Sequence, residues 1–421
     1  MIYYNTLGNN LKRGLLRFTE KISKGYSKPQ KKFISDMVFG IISANSCKLT
    51  EIGRALKENI SLKKTVDRLG RNLANFSDKD KLMSNYLKTI QPSLGDHAML
   101  LIDGGDATKP CSPKMESIGY VYDASTKKYK PGYWTMGAVA LTENNHQPIP
   151  VYENLYPCKK QGGNGVNAEI KAVLQNLRNN FGKNIPRVFD RGFDSGQTIC
   201  DLILNEEKFI LRQNQNRVAV HKGKREYIDD VVRGLVCTHE VDFYDKTGKT
   251  SKCKLGMTRI TLPNMQNLKL NLVVCKEFGE DPLVLYTNLD ESSEMIAECV
   301  VKAYLMRWRI EEFYAFKKQK LKFEDFRVRS LDSIQTLDIL LTVAAGYIGM
   351  LCDKVNEEKF VSELIIVSKR IQKLNHFIKQ TKFLYYAVLT GITCVFAYLK
   401  DGIPRSCSSN PPLSQLPLPG F

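Results

Sequence analysis

The spacing of apolar positions divides the chain into a helical beginning, an α/β middle and a helical end. Over residues 1–95 apolar residues recur with a helical period, and no alternating strand pattern appears. Phe33 to Ser43 predicts an apolar-rich helix, Leu49 to Leu56 follows a short polar break, and Ser61 stands where it can cap a further helix. Near Ala98 the texture changes. Ala98 to Ile102 is a continuous apolar run, the sign of a strand buried on both faces, and it is expected to end at Asp103 in Asp103-Gly104-Gly105-Asp106. Thr135 to Leu141 and Ile149 to Leu155 predict an antiparallel hairpin around Glu143-Asn144-Asn145-His146. Ala168 to Phe181 predicts an amphipathic helix. Arg187-Val188-Phe189 reads as a second buried strand, ending at Asp190 in Asp190-Arg191-Gly192-Phe193-Asp194. A helix over Gly196 to Leu204 and a strand over Phe209 to Arg212 follow.

From Gln213 to Asp290 the pattern is β-rich and basic, with turn signals at Lys246-Thr247-Gly248 and Leu262-Pro263-Asn264. Leu272-Val273-Val274 and Leu283 to Tyr286 read as strands of the same inserted unit. Helices resume at Met295, and residues 356–400 are mostly helical. The stretch from Ile403 to Phe421, rich in Pro and Ser, is expected to be disordered. The expected divisions are therefore a helical domain over 1–95, an α/β core in two parts over 96–213 and 291–355, a β-rich insertion over 214–290, a helical region over 356–402 and a tail over 403–421.

One helix has a polar face with unusual chemistry. Tyr304 to Lys318 contains no Pro or Gly, so a single unbroken helix is expected. At about 100° per residue, Arg307, Glu311 and Lys318 fall within about 60° of Tyr304 in one stripe about 21 Å long. Leu305, Met306, Ile310, Phe313 and Phe316 take the other side. The plain reading of such a stripe is a solvated face with an ordinary i,i+4 pair of Arg307 and Glu311.

Charge changes the picture. The chain carries 62 Lys+Arg against 44 Asp+Glu, a net +18, and its pI is near 9.3. Positive excess spread along the length points to a polyanion, nucleic acid before membrane. Lys63, Lys64, Arg68 and Arg71 gather on the helix after Ser61, and a short helix, a turn and a basic helix are compatible with a DNA-binding helix-turn-helix. The 11 cysteines never form Cys-x2-Cys, and no leader pattern follows Met1, so reduced thiols in a cytosol are expected. Cys237, His239 and Cys253 match no standard zinc spacing and read as unrelated residues. Ile339 to Cys352 is too short to span a membrane, and Phe383 to Leu399 is borderline and interrupted by Thr390, Gly391 and Thr393. Both read as core or docking helices, with no membrane partner.

Asp103 and Asp190 each end a buried strand, and ligand sites in such sheets lie outside the strands' carboxyl ends. They converge if the strands are neighbours, and Glu311 on its helix stripe closes the set. Each has a plain alternative: Asp103 as a turn residue before Gly104, Asp190 as a cap for the next helix. Asp106 could stand in for Asp103, Asp194 for Asp190 and Glu312 for Glu311. Three carboxylates held together repel one another unless a cation sits between them, and hard divalent ions take oxygen ligands while leaving positions open for phosphate.

Tyr304-x2-Arg307-x3-Glu311-x6-Lys318 resembles the signature of one large branch of the DDE transposases of bacterial insertion sequences. The likeness extends over residues 98–352. It takes in the Asp103 strand end, Gly132-Tyr133-Trp134, Asp190-Arg191-Gly192-Phe193-Asp194 and a β-rich insert before the glutamate. The order strand-strand-strand-helix-strand-helix-strand is similar to the ribonuclease H-like core, a mixed sheet flanked by helices. The resemblance implies Asp103, Asp190 and Glu311 as catalytic metal ligands for two Mg²⁺ (or Mn²⁺) ions, with Tyr304, Arg307 and Lys318 assisting at the DNA end. It also implies double-stranded DNA as partner, a homodimer bridging two element ends, and a place on the nucleoid in the bacterial cytoplasm. Some relatives stack a displaced base on a Trp of the insert; here only Trp134 and Trp308 exist, leaving Phe243, Tyr244 or Tyr227 for that task.

Overall fold

The apolar run at Ala98 becomes the spine of a large mixed sheet. The computed structural model describes residues 4–95, 98–123, 126–143, 146–158, 160, 162–244, 250–263, 268–289, 294–372, 383–399 and 402. The sequence expectation for 403–421 lies outside them, as do the turn residues 246–248. Among the described residues, those of 1–89, 320–381 and 385–421 form one compact unit, and those of 90–319 and 382–384 form another.

In the second unit the strands are β1 (Met99–Thr108), β2 (Gly119–Asp123), β3 (Lys128–Leu141), β4 (Pro148–Tyr156), β5 (Arg187–Phe189) and β6 (Phe209–Arg212). They continue with β7 (Val218–His221), β8 (Lys224–Tyr227), β9 (His239–Tyr244), β10 (Thr250–Leu262), β11 (Leu268–Lys276) and β12 (Leu283–Thr287). Their order is β2-β3-β1-β5-β6-β12-β11-β10-β7-β8, with β4 also on β3 and β9 also on β10. β1 lies antiparallel to β3 and parallel to β5, which is in turn parallel to β6. The buried runs were legible because strands covered on both faces need apolar residues at every position. Leu100, Leu101, Ile102, Val188 and Phe189 are all fully buried.

The expected end of the first strand is corrected. β1 does not stop at Asp103. It runs on through Gly104, Gly105 and Asp106 to Thr108, because β3 begins as early as Lys128 and offers an unbroken ladder from Asp103 opposite Gly137 to Thr108 opposite Gly132. Cross-strand pairing overrides the turn signal of two adjacent glycines. The strands after Gln213 extend the main sheet, since β12 pairs antiparallel with β6 and carries β11 and β10 behind it.

Helices α6 (Val166–Phe181), α7 (Gly196–Leu204), α8 (Ile228–Gly234), α9 (Glu294–Leu305) and α10 (Trp308–Gln319) belong to the same unit. The helix expected to run unbroken through Tyr304 to Lys318 is interrupted at Met306 and Arg307. There the backbone bonds tighten to three-residue spacing, from Arg307 N to Tyr304 O, Arg309 N to Met306 O and Ile310 N to Arg307 O. No residue forces this by propensity; the side-chain contacts of Arg307 described below accompany the break.

The first unit is helical: α1 (Tyr4–Ile22), α2 (Lys28–Ala44), α3 (Leu49–Leu56), α4 (Leu62–Ala74), α5 (Lys79–Ile90), α11 (Leu331–Asp353), α12 (Lys359–Gln372) and α13 (Tyr385–Tyr398). α11, grouped by its sequence with the α/β core, packs on α2, α4 and α13. Residues Leu331–Asn356 are long and apolar enough to cross a membrane, longer than the run at Ile339 suggested. Even so, 83% of their most apolar window is buried inside the molecule. Ser61 takes the N-cap position of α4 with extended backbone but makes no side-chain cap bond.

Candidate active site

The parallel register of β1 and β5 sets Ile102 beside Phe189, so the next residues, Asp103 within β1 and Asp190 just past the end of β5, emerge side by side. α9 and α10 bring the third carboxylate. The guanidinium of Arg307 reaches Asp103 Oδ2 from Nη1 at 3.0 Å and Glu311 Oε1 from Nη2, so one cation bridges the strand and the helix. The Tyr304 hydroxyl donates to Asp190 Oδ1 at 3.2 Å. Asp103, Asp190, Glu311, Tyr304 and Arg307 therefore meet at one place.

The electrostatics fit a crowded acidic site. Burial pushes the Asp103 carboxyl up to about 7; Arg307 opposes the shift, while the charges of Asp190 and Glu311 add to it. Burial works against the charge on Arg307, but Asp103, Asp190 and the bond to Glu311 outweigh it and push its pKa upward. Burial and Asp190 raise the Tyr304 phenol, against Arg212 and Arg307.

Of the two plain alternatives, the cap at Asp190 is present and the turn at Asp103 is not. Asp190 Oδ1 accepts from Arg191 N at 2.7 Å and so caps the short helical turn Arg191–Phe193, whereas Asp103 Oδ1 accepts from Gly104 N at 2.9 Å inside β1. The substitutes are occupied elsewhere. Asp194 is buried and accepts from Asn214 N at 2.7 Å, Gln215 N at 2.9 Å and the Arg217 guanidinium. Glu312 pairs with Arg309 at 2.7 Å. Asp106, expected beyond the strand end, sits inside β1 opposite Trp134 and pairs with Lys318 Nζ at 2.8 Å. Lys318 thus stands at Asp106 rather than at Asp103.

The basic helix divides in the same way. Lys63, Lys64 and Arg71 are exposed on α4. Arg68 is tied inward, to Asp36 at 2.8 Å and Glu58 at 2.9 Å. Burial would raise the Glu58 carboxyl, yet hydrogen bonds from Lys32, Arg68 and Thr65 hold it at about 2. In the extended sheet, Cys237 and Cys253 lie near Cys275, where burial pushes all three thiols up, and His239 turns to Glu298 at 3.4 Å. Phe243 is buried, whereas Tyr227 is exposed.

Residues 96–346, more than half of the chain, match the family model described as the transposase DDE domain. The chain belongs to the transposase DDE domain family. Membership implies a DNA-cleaving enzyme, and DDE transposases are generally divalent-metal dependent. A solved structure similar to this transposase is that of the piggyBac transposase synaptic complex with hairpin DNA, at a TM-score of 0.46 and 13% identity, covering 92% of this chain and 82% of that one.

Among the described residues of the transposase, no three His, Cys, Asp or Glu side chains are arranged to hold a metal ion. As the side chains stand, Arg307 serves as the cation between Asp103 and Glu311. The chemistry of the residues still suits a hard divalent ion: carboxylate oxygens are its usual ligands, and Asp103 feels the charges of both Asp190 and Glu311.

Sequence reasoning missed two residues at this site. Arg212 ends β6, the strand beside β5, and interacts with the Tyr304 phenol; the strand-end rule that found the aspartates would have found it too. Tyr314 on α10 donates its hydroxyl to the Asp103 main-chain carbonyl at 3.0 Å. Nothing in its spacing marks it, since the space it enters exists only where Gly137 lies against α10. A Cβ at Gly137 would run into the Tyr314 hydroxyl, and one at Gly105 would stand 3.7 Å from its ring.

Proposed function

We propose that this chain is a DNA transposase that cuts at insertion-sequence ends and joins the freed 3′-OH to target DNA. The observation that carries this is the meeting of Asp103 and Asp190, on adjacent parallel strands, with Glu311 through the bridging guanidinium of Arg307. The order β4-β3-β1-β5-β6, with β5 and β6 parallel to β1, supports a ribonuclease H-like core.

In this reading Asp103, Asp190 and Glu311 hold two Mg²⁺ or Mn²⁺ ions, which would supply activation of the attacking oxygen and stabilisation of the leaving one. Arg307 leaves the carboxylates to meet a DNA phosphate, for which its planar fork is suited. Tyr304, a donor when neutral, orients Asp190. Lys318, half-exposed at the far end of α10, holds a phosphate further along the same strand of DNA. Lys63, Lys64 and Arg71 on α4 take phosphates of the recognised end, while Arg68 stiffens the helix from inside. By family resemblance, a homodimer bridges two ends.

The test is cleavage and joining of duplex DNA bearing the element's own ends, with Mg²⁺ or Mn²⁺, by wild type and Glu311→Ala. Joined product from the wild type and DNA binding without chemistry from the variant support the reading. Cleavage without joining would make the protein a nuclease, binding alone a repressor of transposition. A variant that still cuts and joins would remove Glu311 from the site.

A further inference from the structure

The ribbon made by β2 and the first residues of β3 carries three tyrosines that the fold does not use. Tyr120, Tyr122 and Tyr129 are 67, 41 and 69% exposed, while Gly119, Val121 and Asp123 between them are buried. Tyr122 stands opposite Tyr129, ring to ring at 5.4 Å, and Tyr120 stands opposite Pro131. A strand that already buries Val121 ordinarily shows polar residues on its open face, so a contiguous aromatic face there marks a contact surface. Its charge is positive: Lys127 and Lys128 are exposed at the turn end, and Lys130 cancels Asp123 at 2.7 Å.

The ribbon is continuous with the acidic site. In β3 the residues Tyr129, Pro131, Tyr133, Thr135 and Gly137 alternate onto one side of the sheet, and Gly137 stands opposite Asp103. The ladder from Gly137 to Gly132 is unbroken and passes directly into the pairing with β2. At a rise of about 3.4 Å per residue, Pro131 and Tyr129 lie roughly 20 and 27 Å along the strand from Gly137. Duplex DNA advances about 3.4 Å per base pair, so the span corresponds to roughly 6–8 base pairs.

We propose that the tyrosine face of the β2–β3 ribbon is a DNA-contacting surface that grips the duplex roughly 6–8 base pairs from the phosphate at the acidic site. Tyrosine hydroxyls and the two lysines take phosphates, and the rings lie against sugars or unpaired bases. This rests on the transposase reading, because it places the cut phosphate at Asp103. A second copy of the chain is the other occupant an aromatic face could suit, but lysines are depleted from such protein contacts.

The experiment is hydroxyl-radical footprinting and salt-dependent binding with the full-length chain on duplex carrying the element's ends, for wild type, Tyr120→Ala/Tyr129→Ala and Lys127→Ala/Lys128→Ala. The expected result is protection about 6–8 base pairs from the cut position in wild type, lost in both variants. The tyrosine variant is expected to bind about tenfold more weakly or worse. The lysine variant, whose changes lie at an exposed turn and leave packing alone, should flatten the log-log salt slope by about 1.8. The proposal is overturned if wild type gives no protection there, or if both variants bind and protect as wild type does. It is equally overturned if the tyrosine variant changes the oligomeric state of the DNA-free protein while the footprint stays. Wild type that fails to bind DNA at all would instead remove the transposase reading beneath it.

Discussion

The Tyr314 hydroxyl is hydrogen-bonded to the main-chain carbonyl of Asp103 at 3.0 Å, tying the helix that carries Glu311 to the strand that carries the first aspartate. Glu311 and Tyr314 are one turn apart on α10, so the bond sets the distance between two of the three carboxylates. Replacing Tyr314 with Phe keeps the ring and removes only the donor. The expected outcome is a loss of Mn²⁺-dependent cleavage of up to about tenfold, from a bond worth about 0.5–1.5 kcal/mol, with little change in melting. Single-turnover rates beside a thermal melt check it; an unchanged rate would show that the hydroxyl does not position the site.

The same bond depends on a missing side chain. A Cβ at Gly137 would meet the Tyr314 hydroxyl and stand 2.9 Å from Glu153 Oε2. Gly137→Ala is expected to destabilise the protein by about 1–3 kcal/mol through overpacking. In a Tyr314→Phe background the cost should shrink, since the clashing oxygen is gone. Urea unfolding of the four proteins measures the coupling, and equal costs in both backgrounds would mean the two positions do not communicate.

The strand leading to Asp190 is anchored at its other end by a buried ion pair. Arg187 and Glu207 are both fully buried and 2.8 Å apart, and Glu207 also takes Arg178 at 3.0 Å. Glu207→Ala leaves the Arg187 guanidinium buried without its counter-charge, and a loss of about 3–5 kcal/mol is expected. The double change Arg187→Met with Glu207→Leu should lose far less. Chemical denaturation distinguishes them; similar losses in both would place the stabilisation in packing rather than charge.

Proton linkage at Asp103 predicts a pH dependence of a definite sign. Its folded-state value, about 7 and raised by burial ahead of its acidic neighbours, lies above the ordinary 3.8. The stability contribution of its protonated form is therefore full below about 4 and is lost as pH rises through about 7. In chelator, melting temperature should fall over that window, and Asp103→Asn should flatten the fall. If the ion is held as proposed, adding Mn²⁺ at about a hundred times its Kd should restore roughly 2.7 kcal/mol above pH 7 to wild type and not to the variant. A wild-type profile in chelator as flat as the variant's would contradict the raised carboxyl.

What the sequence determined by itself was local. β5, β6 and α7 lie where their apolar runs and caps put them, since a doubly buried strand and a short amphipathic helix are each encoded within a few residues. The apolar runs that lead into Asp103 and Asp190 were legible for the same reason. Tertiary structure decided what depends on partners far away. β3, pairing over its whole length, carries β1 past two glycines to Thr108. Two carboxylates, Asp36 and Glu58, draw Arg68 inward from a helix whose spacing offered it to DNA. Arg307 bridges Asp103 and Glu311 where the helix breaks, at a point where no residue is a breaker. Tyr314 matters only because Gly137, on a different strand from Asp103, leaves room for its hydroxyl beside the Asp103 carbonyl. Period and propensity act over one turn or one strand, whereas contacts and charge pairs are settled by whichever distant groups the fold brings within reach.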